Sequence, residues 1–369
     1  VYQMMYMEQV PVSAVCNEAV KLAKKRKFNN LSGFVNGVLR NISRQLAQME
    51  HPDDYSIKYS VPQELIDMLT SAYGKEAVKL MLESFLKEHA VSAVTNTVRV
   101  SKKELVERLT AQGITVKDAP YVKDAFILSD YNYLDDIQEF GEGLFNIQDI
   151  SSMLAGVIAA PDKDSTVLDV CAAPGGKSIF AALTMGGTGH VISRDVSERK
   201  TEQIVENVER LGFDSVTVEI ADAAMHNVGD DDSADMLLAD LPCSGLGIIG
   251  RKPDIKYNVS KDKIAGIVSL QRSILDSVCS YVKHGGYIVY STCTLNPQEN
   301  EENVRYIKSK GFETVDISAS LPDGLIEDAK KAGDIFYDKL VKDAADGMLT
   351  LIPGVYECDG FFVAKLKRI

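Results

Sequence analysis

Two cysteines end segments that have the composition of buried strands. Cys243 closes the sequence DLPC that begins at Asp240, and Cys293 closes the sequence YSTC that begins at Tyr290. Neighbouring strands of a parallel sheet end at the same edge, so both thiols would lie together there. A lone cysteine in such a place is usually a small buried hydrophobic residue. Two of them, one beside an Asp-x-Pro sequence, indicate nucleophilic chemistry instead.

A helix start is predicted just after Cys293. Asn296 has the type of an N-cap residue and Pro297 that of a first helical residue, which opens a predicted helix over 297–309. The positive end of that helix dipole would favour the thiolate of Cys293, which is the nucleophilic form.

A turn of small residues stands between a predicted strand and a predicted helix. The β-branched, apolar lead-in from Thr166 to Val170 predicts a buried strand, and the residues from Ser178 onward continue as a helix. Such a junction presents free backbone N–H groups and the positive end of a helix dipole, which suits a nucleotide-like ligand at the sheet edge. The turn consists of Cys171, Ala172, Ala173, Pro174, Gly175, Gly176 and Lys177.

The last residues of this turn also suggest a phosphate loop. The sequence from Gly176 to Ser178 ends as G-x-x-x-x-G-K-[ST] does, and the apolar strand before Asp240 could pass for a magnesium-binding segment. The first glycine of that motif would fall on Cys171, however, and Pro174 stiffens the loop. A nucleoside triphosphatase is therefore the weaker interpretation.

Two further acids follow the next strands. Asp195 ends the predicted strand 190–195, about 20 residues after the glycine turn, where an acid accepts hydrogen bonds from ribose hydroxyls. The alternative role for Asp195 is a helix cap before Ser197. Asp222 follows the predicted strand 216–220 and could meet an adenine amino group. Three contacts at three strand ends describe a nucleoside site that lacks a cradle for a triphosphate.

Composition excludes several classes of protein. The 369 residues contain six cysteines and five histidines, without a C-x-x-C pair or zinc-like spacing, which indicates a reducing cytoplasm and neither disulfides nor metal. The apolar runs are shorter than the roughly 18 residues of a membrane span, and the first residues do not have the pattern of a secretory signal. Since the chain begins without Met, in what has the pattern of a helix, we interpret it as cut from a longer parent.

A net charge of −13 does not favour nucleic acid as a partner. One local basic cluster nevertheless stands near the N-terminus, and its alternative interpretation is a solvated helix face. The cluster consists of Lys21, Lys24, Lys25, Arg26 and Lys27, followed by Arg40 and Arg44.

Periodicity divides the chain into three predicted domains. Residues 1–52 have the apolar spacing of helices. Residues 53–135 combine predicted helices near 62–73 and 75–88 with predicted strands over 92–100 and near 115 and 126. Ser101 and Glu104 form a capping box there. In residues 136–369 predicted strands alternate with predicted helices. The third domain predicts a seven-stranded, mostly parallel sheet with helices on both faces. Its predicted strands are 166–171, 190–195, 216–220, 235–240, 286–292, 312–317 and 360–367, and its predicted helices are 148–160, 177–185, 198–211, 261–283 and 297–309.

Together these motifs resemble the RNA cytosine-5 methyltransferases of the NOL1/NOP2/Sun family, in particular the Fmu/Sun type. The resemblance covers roughly residues 90 to 369 and includes 143–152, which is similar to the family's entry helix. Residues 33–40 are similar to the end of a NusB-like helical RNA-binding domain, shortened here, which marks the ribosomal RNA branch. The motifs that carry it are Asp169 to Lys177, Asp240 to Gly245, Arg251 to Asp254, Tyr290 to Cys293 and Asp359 to Lys365.

The resemblance implies a Rossmann-like fold and S-adenosylmethionine as cofactor. Residues 171–177 would wrap the cofactor, Asp195 would bind its ribose, Asp222 would lie beside the adenine, and Asp240 would lie between cofactor and target base. Cys293 would be the nucleophile and Cys243 would assist product release. Asp240 would support ring nitrogen 3 if burial favours its protonated form.

The implied substrate is a single-stranded or loop cytosine in small-subunit ribosomal RNA, because the base must be unstacked to enter the pocket. Arg251 and Lys252 become candidate phosphate contacts, and Lys24, Lys25, Arg26 and Arg40 become a candidate RNA surface. Lys177 either contacts the site or pairs structurally at the helix start. We expect a cytoplasmic monomer.

Two rival functions remain. A transfer RNA cytosine-5 methyltransferase would share every catalytic motif. An RNA-binding or transcription factor could retain the fold without activity, although a binding module has no need of the cysteine pair and Asp240.

Overall fold

The structure is a computed structural model that describes residues 1–46 and 53–369. These residues form two compact units, Val1–Ser60 and Val61–Ile369. Residue 52, the predicted end of the first domain, lies outside the described residues.

The first unit is helical, as its apolar spacing predicts. Helix α2 buries Val15 and Cys16, packs against α3 and ends in the basic residues Lys24 and Lys25. Its described helices are α1 (Tyr2–Tyr6), α2 (Val12–Lys25), α3 (Ser32–Gln45) and α4 (Tyr55–Lys58).

The second unit begins with a small antiparallel sheet and its helices. Helix α5 is interrupted at Gly74, whose φ of 81° breaks the helical path between the two predicted segments. Helix α6 begins after Ser101, whose hydroxyl accepts the Glu104 N–H. The elements are α5 (Gln63–Ser84), β1 (Val91–Thr95), α6 (Lys102–Ala111), β2 (Thr115–Asp118), β3 (Ala125–Ser129), α7 (Gln138–Gly141) and β4 (Phe145–Ile147).

The order of this sheet is β2-β3-β1-β4. The predicted strand 92–100 is wrong beyond residue 95. The Asn96 side chain donates to the carbonyls of Gly143 and Leu211, both at 2.9 Å, and the chain turns there. Strand β4 comes from residues after 135, inside the segment that the sequence assigns to the third domain.

The large sheet carries the α/β architecture predicted from the sequence. Within the described residues its strands run in the order β10-β12-β9-β8-β5-β6-β7, and β11 pairs with β12. Strands β5 to β9 are parallel, and β10, β11 and β12 are antiparallel to their partners. The strands are β5 (Thr166–Asp169), β6 (His190–Asp195), β7 (Val216–Ile220), β8 (Ala234–Asp240), β9 (Val282–Thr292), β10 (Phe312–Thr314), β11 (Met348–Leu351) and β12 (Phe361–Arg368).

The helices that accompany the large sheet are α8 (Ile150–Ala159), α9 (Gly176–Thr184), α10 (Glu198–Leu211), α11 (Ile255–Asn258), α12 (Lys261–Val278), α13 (Glu301–Lys308), α14 (Asp323–Ala332) and α15 (Asp334–Ala345). Of these, α11, α14 and α15 lie in segments for which the sequence predicted no helix.

Three expectations for the sheet need correction. The sheet has eight strands in the described residues rather than seven, because β11 forms within 320–356, a segment without a clear sequence pattern. The predicted helix 261–283 ends at Val278, since strand β9 already begins at Val282. The predicted strand 312–317 ends at Thr314.

The core of the large sheet lies between its strands and the helices α12 and α13. Apolar residues of the central strands pack there with Leu275 and Ile307, and each of these side chains is almost fully buried. Parallel strands covered on both faces require such apolar runs. No helix in the described ranges is long and apolar enough to cross a membrane.

Candidate active site

The carboxyl ends of β8 and β9 bring the two cysteines together. The parallel register places Asp240 beside Ser291, and each chain then continues a few residues to a cysteine. The Sγ atoms of Cys243 and Cys293 lie 3.3 Å apart, although the residues are 50 positions apart in the chain. Both are free thiols.

The two thiols are electrostatically unequal. The hydrogen bond between the two thiols lowers the pKa of Cys293, and the charge of Lys177 acts in the same direction, while burial and the charge of Asp240 oppose them. The same hydrogen bond, together with burial, raises the pKa of Cys243 well above its usual range. Cys293 is therefore the thiol of the pair that ionises first, which suits a nucleophile.

The predicted helix start at Pro297 is wrong. Helix α13 begins at Glu301, after Asn300. The Asn296 side chain instead accepts the Gln298 N–H at 3.2 Å in a local turn. Asparagine forms such turns as readily as it caps helices, so the residue type alone does not distinguish the two. The activation of Cys293 thus comes from the neighbouring thiol and Lys177 rather than from a helix that starts at residue 297.

A buried carboxylate, which the sequence analysis missed, holds the two cysteine loops together. Glu299 is fully buried and accepts hydrogen bonds from the Ser244 N–H at 2.8 Å and from the Asn296 side chain at 2.9 Å. The Ser244 hydroxyl and the Gln271 amide also donate to it. The polar run from Asn296 to Asn300 was the sequence signal for a buried Glu299. It was not recognised, because such a run is also typical of the start of an exposed helix.

Asp240 lies in an ion pair beside the cysteines. One of its oxygens accepts from the Lys177 ammonium at 2.8 Å and the other from the Ser291 hydroxyl at 2.8 Å. Its side chain is 30% exposed, so the burial on which the predicted acid role depends is only partial. Any role of Asp240 as an acid must therefore involve Lys177, its partner in the ion pair.

Lys177 occupies the centre of the site rather than its margin. Besides Asp240, its ammonium donates to the Ser152 hydroxyl on α8 at 2.8 Å, and it lies 5.2 Å from the ring centre of Phe361. Its side chain is 12% exposed. Ser152 and Phe361 were not singled out as site residues, because their proximity arises only when α8 and β12 meet β8.

The small-residue turn forms as predicted between β5 and α9. Gly175 has a φ of 100°, which side chains adopt only with strain, and it precedes α9 without a side-chain cap. The peptide bond between Ala173 and Pro174 is cis. The turn packs against Gln148, whose amide carbon lies 3.3 Å from where a Cβ on Gly176 would stand.

Asp195 fastens this turn to β6. Its buried carboxylate accepts the Ala173 N–H at 3.0 Å and the Val196 N–H at 2.7 Å, and pairs with Lys200 at 2.9 Å. The N-cap of α10 is Ser197, so Asp195 does not take the alternative role of a helix cap.

Asp222 lies at the surface, at the end of β7. Its carboxylate accepts the Ala224 N–H at 2.9 Å. It lines a cavity of about 180 Å³ together with Val170, Ile220 and Met225. An aromatic ring system could be covered there by apolar side chains, with an acid at the edge.

Three acidic residues lie near the turn: Asp195 pairs with Lys200, Asp240 pairs with Lys177, and Asp169 is buried. Burial, together with the charges of these acids, raises the pKa of the Cys171 thiol, while the charge of Lys200 opposes this. The Cys171 thiol is therefore held in its neutral form. A nucleoside that carries a positive sulfonium fits the same surroundings, so the residues of the turn suit S-adenosylmethionine.

The predicted RNA contacts lie in different settings. Arg251 bridges two carboxylates, with Asp149 at 2.7 Å and Asp359 at 2.5 Å, so it holds protein segments together, whereas Lys252 is exposed. Lys24, Lys25 and Arg26 are exposed at the end of α2, and the exposed Arg40 donates to Asn36 on α3 at 3.3 Å.

Three family profiles match the chain. The profile described as "16S rRNA methyltransferase RsmB/F" matches residues 156–367, "NusB family" matches 1–44, and "Methyltr_RsmF/B-like, ferredoxin-like domain" matches 61–133.

Relatives and solved structures agree with these profiles. The "Probable ribosomal RNA small subunit methyltransferase B" of Bacillus subtilis (strain 168) is 34% identical over the whole chain and 80% of its own length. A "Methyltransferase Homolog Protein" of Pyrococcus horikoshii is 26% identical with a TM-score of 0.69, covering 86% of this chain and 98% of its own. NSun6 of the same organism, solved with SFG, is 20% identical with a TM-score of 0.69, covering 83% and 98%, and shows the shared fold.

The geometry and these likenesses converge. A turn suited to S-adenosylmethionine and a pair of thiols lie at the same edge of the large sheet. The cofactor of such enzymes is S-adenosylmethionine. The chain belongs to the RsmB/F family of 16S ribosomal RNA methyltransferases.

Proposed function

We propose that this protein methylates carbon 5 of a cytosine in 16S ribosomal RNA through a covalent bond between Cys293 and carbon 6. The observation that carries the proposal is the pair of free thiols 3.3 Å apart, next to the Lys177–Asp240 ion pair. Carbon 5 of cytosine is a poor nucleophile by itself, so methylation there needs a group that first adds to the ring. A methyltransferase that acts on an exocyclic nitrogen has no such need.

Cys293 is the attacking group. The hydrogen bond with Cys243 lowers its pKa, which favours the nucleophilic thiolate. As its sulfur bonds to carbon 6, the 5,6 double bond opens and carbon 5 becomes an enamine carbon. S-adenosylmethionine supplies the methyl group that carbon 5 takes.

Asp240 and Lys177 handle the proton that this addition requires. Ring nitrogen 3 gains electron density as the thiolate adds, so a donor there lowers the barrier. The Lys177 ammonium donates to the Asp240 carboxylate at 2.8 Å, so the proton passes from Lys177 through Asp240 to nitrogen 3 and leaves Lys177 neutral. The proton returns when the ring regains its double bond.

Cys243 serves the last step. After methyl transfer the carbon 5 proton passes to solvent water, and its bonding electrons restore the 5,6 double bond. The bond between carbon 6 and sulfur breaks in the same step, which restores the thiolate of Cys293. A sulfur 3.3 Å away can stabilise that thiolate again through its S–H. Cys243 therefore assists release of the methylated base.

Replacement of the nucleophile tests the proposal. Cys293→Ala should abolish 5-methylcytosine formation on unmodified 16S ribosomal RNA, measured by mass spectrometry of the digested RNA. Binding of S-adenosylmethionine, measured by calorimetry, should remain. The matched control is Cys279→Ala, a buried thiol at the end of α12.

Retained turnover in the Cys293→Ala variant would refute the assignment of the nucleophile. A methyl group found on another atom of the base would refute the cytosine-5 chemistry while leaving family membership intact.

A further inference from the structure

We propose that the cavity beside Cys243 is a binding subsite for the nucleotide next to the target cytosine, with the neighbouring base on its apolar floor and a phosphate at its lysine rim. This inference rests on the proposed function in one respect: the target strand reaches the Cys243–Cys293 pair. The inference adds a second site on the protein that recognises the same RNA strand.

The cavity opens next to the catalytic thiols. Its volume is about 470 Å³, within the range of pockets that hold small ligands, roughly 300–1,000 Å³. Cys243 and Ser244 are among its lining residues, so the cavity borders the thiol pair. A nucleotide seated in it would lie directly adjacent to the cytosine held by Cys293.

The floor of the cavity is aliphatic and comes from two short segments. Ile255 on α11, Val259 in the connection, and Ile264 and Ile267 on α12 all line it. Val259 and Ile267 are only half-buried, so they leave apolar surface for a ligand to cover. An unstacked base has two apolar faces, and single-stranded RNA is commonly held by giving such a face a surface to lie on.

The rim is basic. Lys252 and Lys263, both exposed, line the cavity together with Arg251, and Asp254 is the acid among the lining residues. Lys263 donates to the carbonyl of Asn258 at 2.8 Å, an exchangeable hydrogen bond that holds its ammonium at the entrance. Two lysines at the mouth of an apolar cavity match a base with its phosphate.

A second cavity on the other side of Arg251 provides a comparison. It is larger, about 610 Å³, and Arg251 lines both cavities. Its lining contains five carboxylates and only two lysines, so it repels a phosphate. Because of this difference in charge, we expect the RNA strand to enter the cavity beside Cys243 and not the larger, acidic cavity. The carboxylates are Glu88, Asp149, Asp328, Glu357 and Asp359, and the lysines are Lys87 and Lys331.

Paired lysine variants test the rim. The double variant Lys252→Ala with Lys263→Ala removes two cations from the cavity, whereas Lys261→Ala with Lys308→Ala removes two exposed cations outside it. Binding to unmodified 16S ribosomal RNA is measured against salt concentration. The slope of log K against log salt should fall by about 0.7 for each phosphate that the first double variant no longer neutralises, and it should stay unchanged in the second.

A second pair tests the floor. Ile267→Ala shortens a side chain that lines the cavity, whereas Leu270→Ala, on the same helix, shortens an exposed one outside it. Because Ile267→Ala removes apolar surface from beneath the base, it should raise KM for RNA about fivefold while kcat stays constant. Leu270→Ala should leave both constants unchanged.

The outcomes separate this inference from the proposed function. Equal salt slopes for the two double variants, or equal KM values for Ile267→Ala and Leu270→Ala, would overturn the subsite. Absence of 5-methylcytosine with the unaltered protein would overturn the proposed function, while the RNA-binding comparison would still report on the cavity.

Discussion

Asp169 offers a stability prediction that follows directly from its surroundings. This carboxyl at the end of β5 is fully buried, accepts the Ser178 hydroxyl at 2.7 Å, and has its second oxygen buried without a hydrogen bond. Burial raises its pKa from 3.8 to about 7. The folded protein therefore binds this proton more tightly than the unfolded chain does.

The linkage between protonation and folding makes the free energy of unfolding depend on pH. Because the folded-state pKa is raised, the unfolded chain loses this proton first, and stability falls as pH rises from about 4 to about 7. The pKa of Asp169 is 3.8 in the unfolded chain and about 7 in the folded protein. At about 1.4 kcal/mol per pH unit, ionisation of the unfolded chain therefore lowers the free energy of unfolding by about 4 kcal/mol. Below about pH 4 the effect vanishes.

Asp169→Asn replaces the carboxyl by a neutral group of the same shape that can still accept from Ser178. The variant should gain stability relative to the parent as pH rises, from almost nothing near pH 4 to about 4 kcal/mol at pH 8. Urea unfolding followed by circular dichroism at several pH values measures this, since the chain contains no tryptophan for fluorescence. The matched control is Asp262→Asn, at an exposed position on α12.

A stability difference between Asp169→Asn and the parent that does not change between pH 4 and pH 8 would refute the reasoning. It would mean that the carboxyl has the same proton affinity in the folded and the unfolded chain.

Three further predictions concern the loops and the RNA surface. Cys243→Ala should let a covalent RNA adduct accumulate, seen as a slower band on a denaturing gel; absence of that band counts against a role in release. Gly247→Ala should cost about 1–3 kcal/mol in urea unfolding, because a Cβ there would overlap the carbonyl oxygen of Gly360. Gly266→Ala, with open space around it, is its control and should cost nothing. Replacing Lys24, Lys25 and Arg26 by Ala should weaken RNA binding and flatten its salt dependence, whereas an unchanged slope would favour a solvated helix face.

The positions of the main catalytic candidates were predictable because they depend on local pattern. A strand, a turn of small residues and a helix form the 171–177 loop from propensity and glycine alone. Parallel strands that alternate with helices end at one edge, which places Asp195, Asp240, Cys243 and Cys293 on the same side of the sheet. These placements require no knowledge of side-chain packing.

The accessory elements were less predictable because short segments carry little periodic signal. Strand β4 has three residues and pairs with β1, which is remote in the chain, whereas β11 has four residues and pairs with β12, the next strand. The helix after Cys293 starts later than its sequence suggests, because the Asn296 side chain accepts the Gln298 N–H in a local turn and the Asn300 side chain donates to the Thr294 carbonyl.

By itself, the sequence determined which residue types stand at the strand ends, and those types specify a nucleoside site beside two thiols. Only the tertiary structure decided how they are paired: Cys243 against Cys293, Lys177 with Asp240, Glu299 beneath both cysteine loops, and Arg251 between Asp149 and Asp359. The physical reason is that buried polar groups must find partners, and those partners are neighbours in space but remote along the chain.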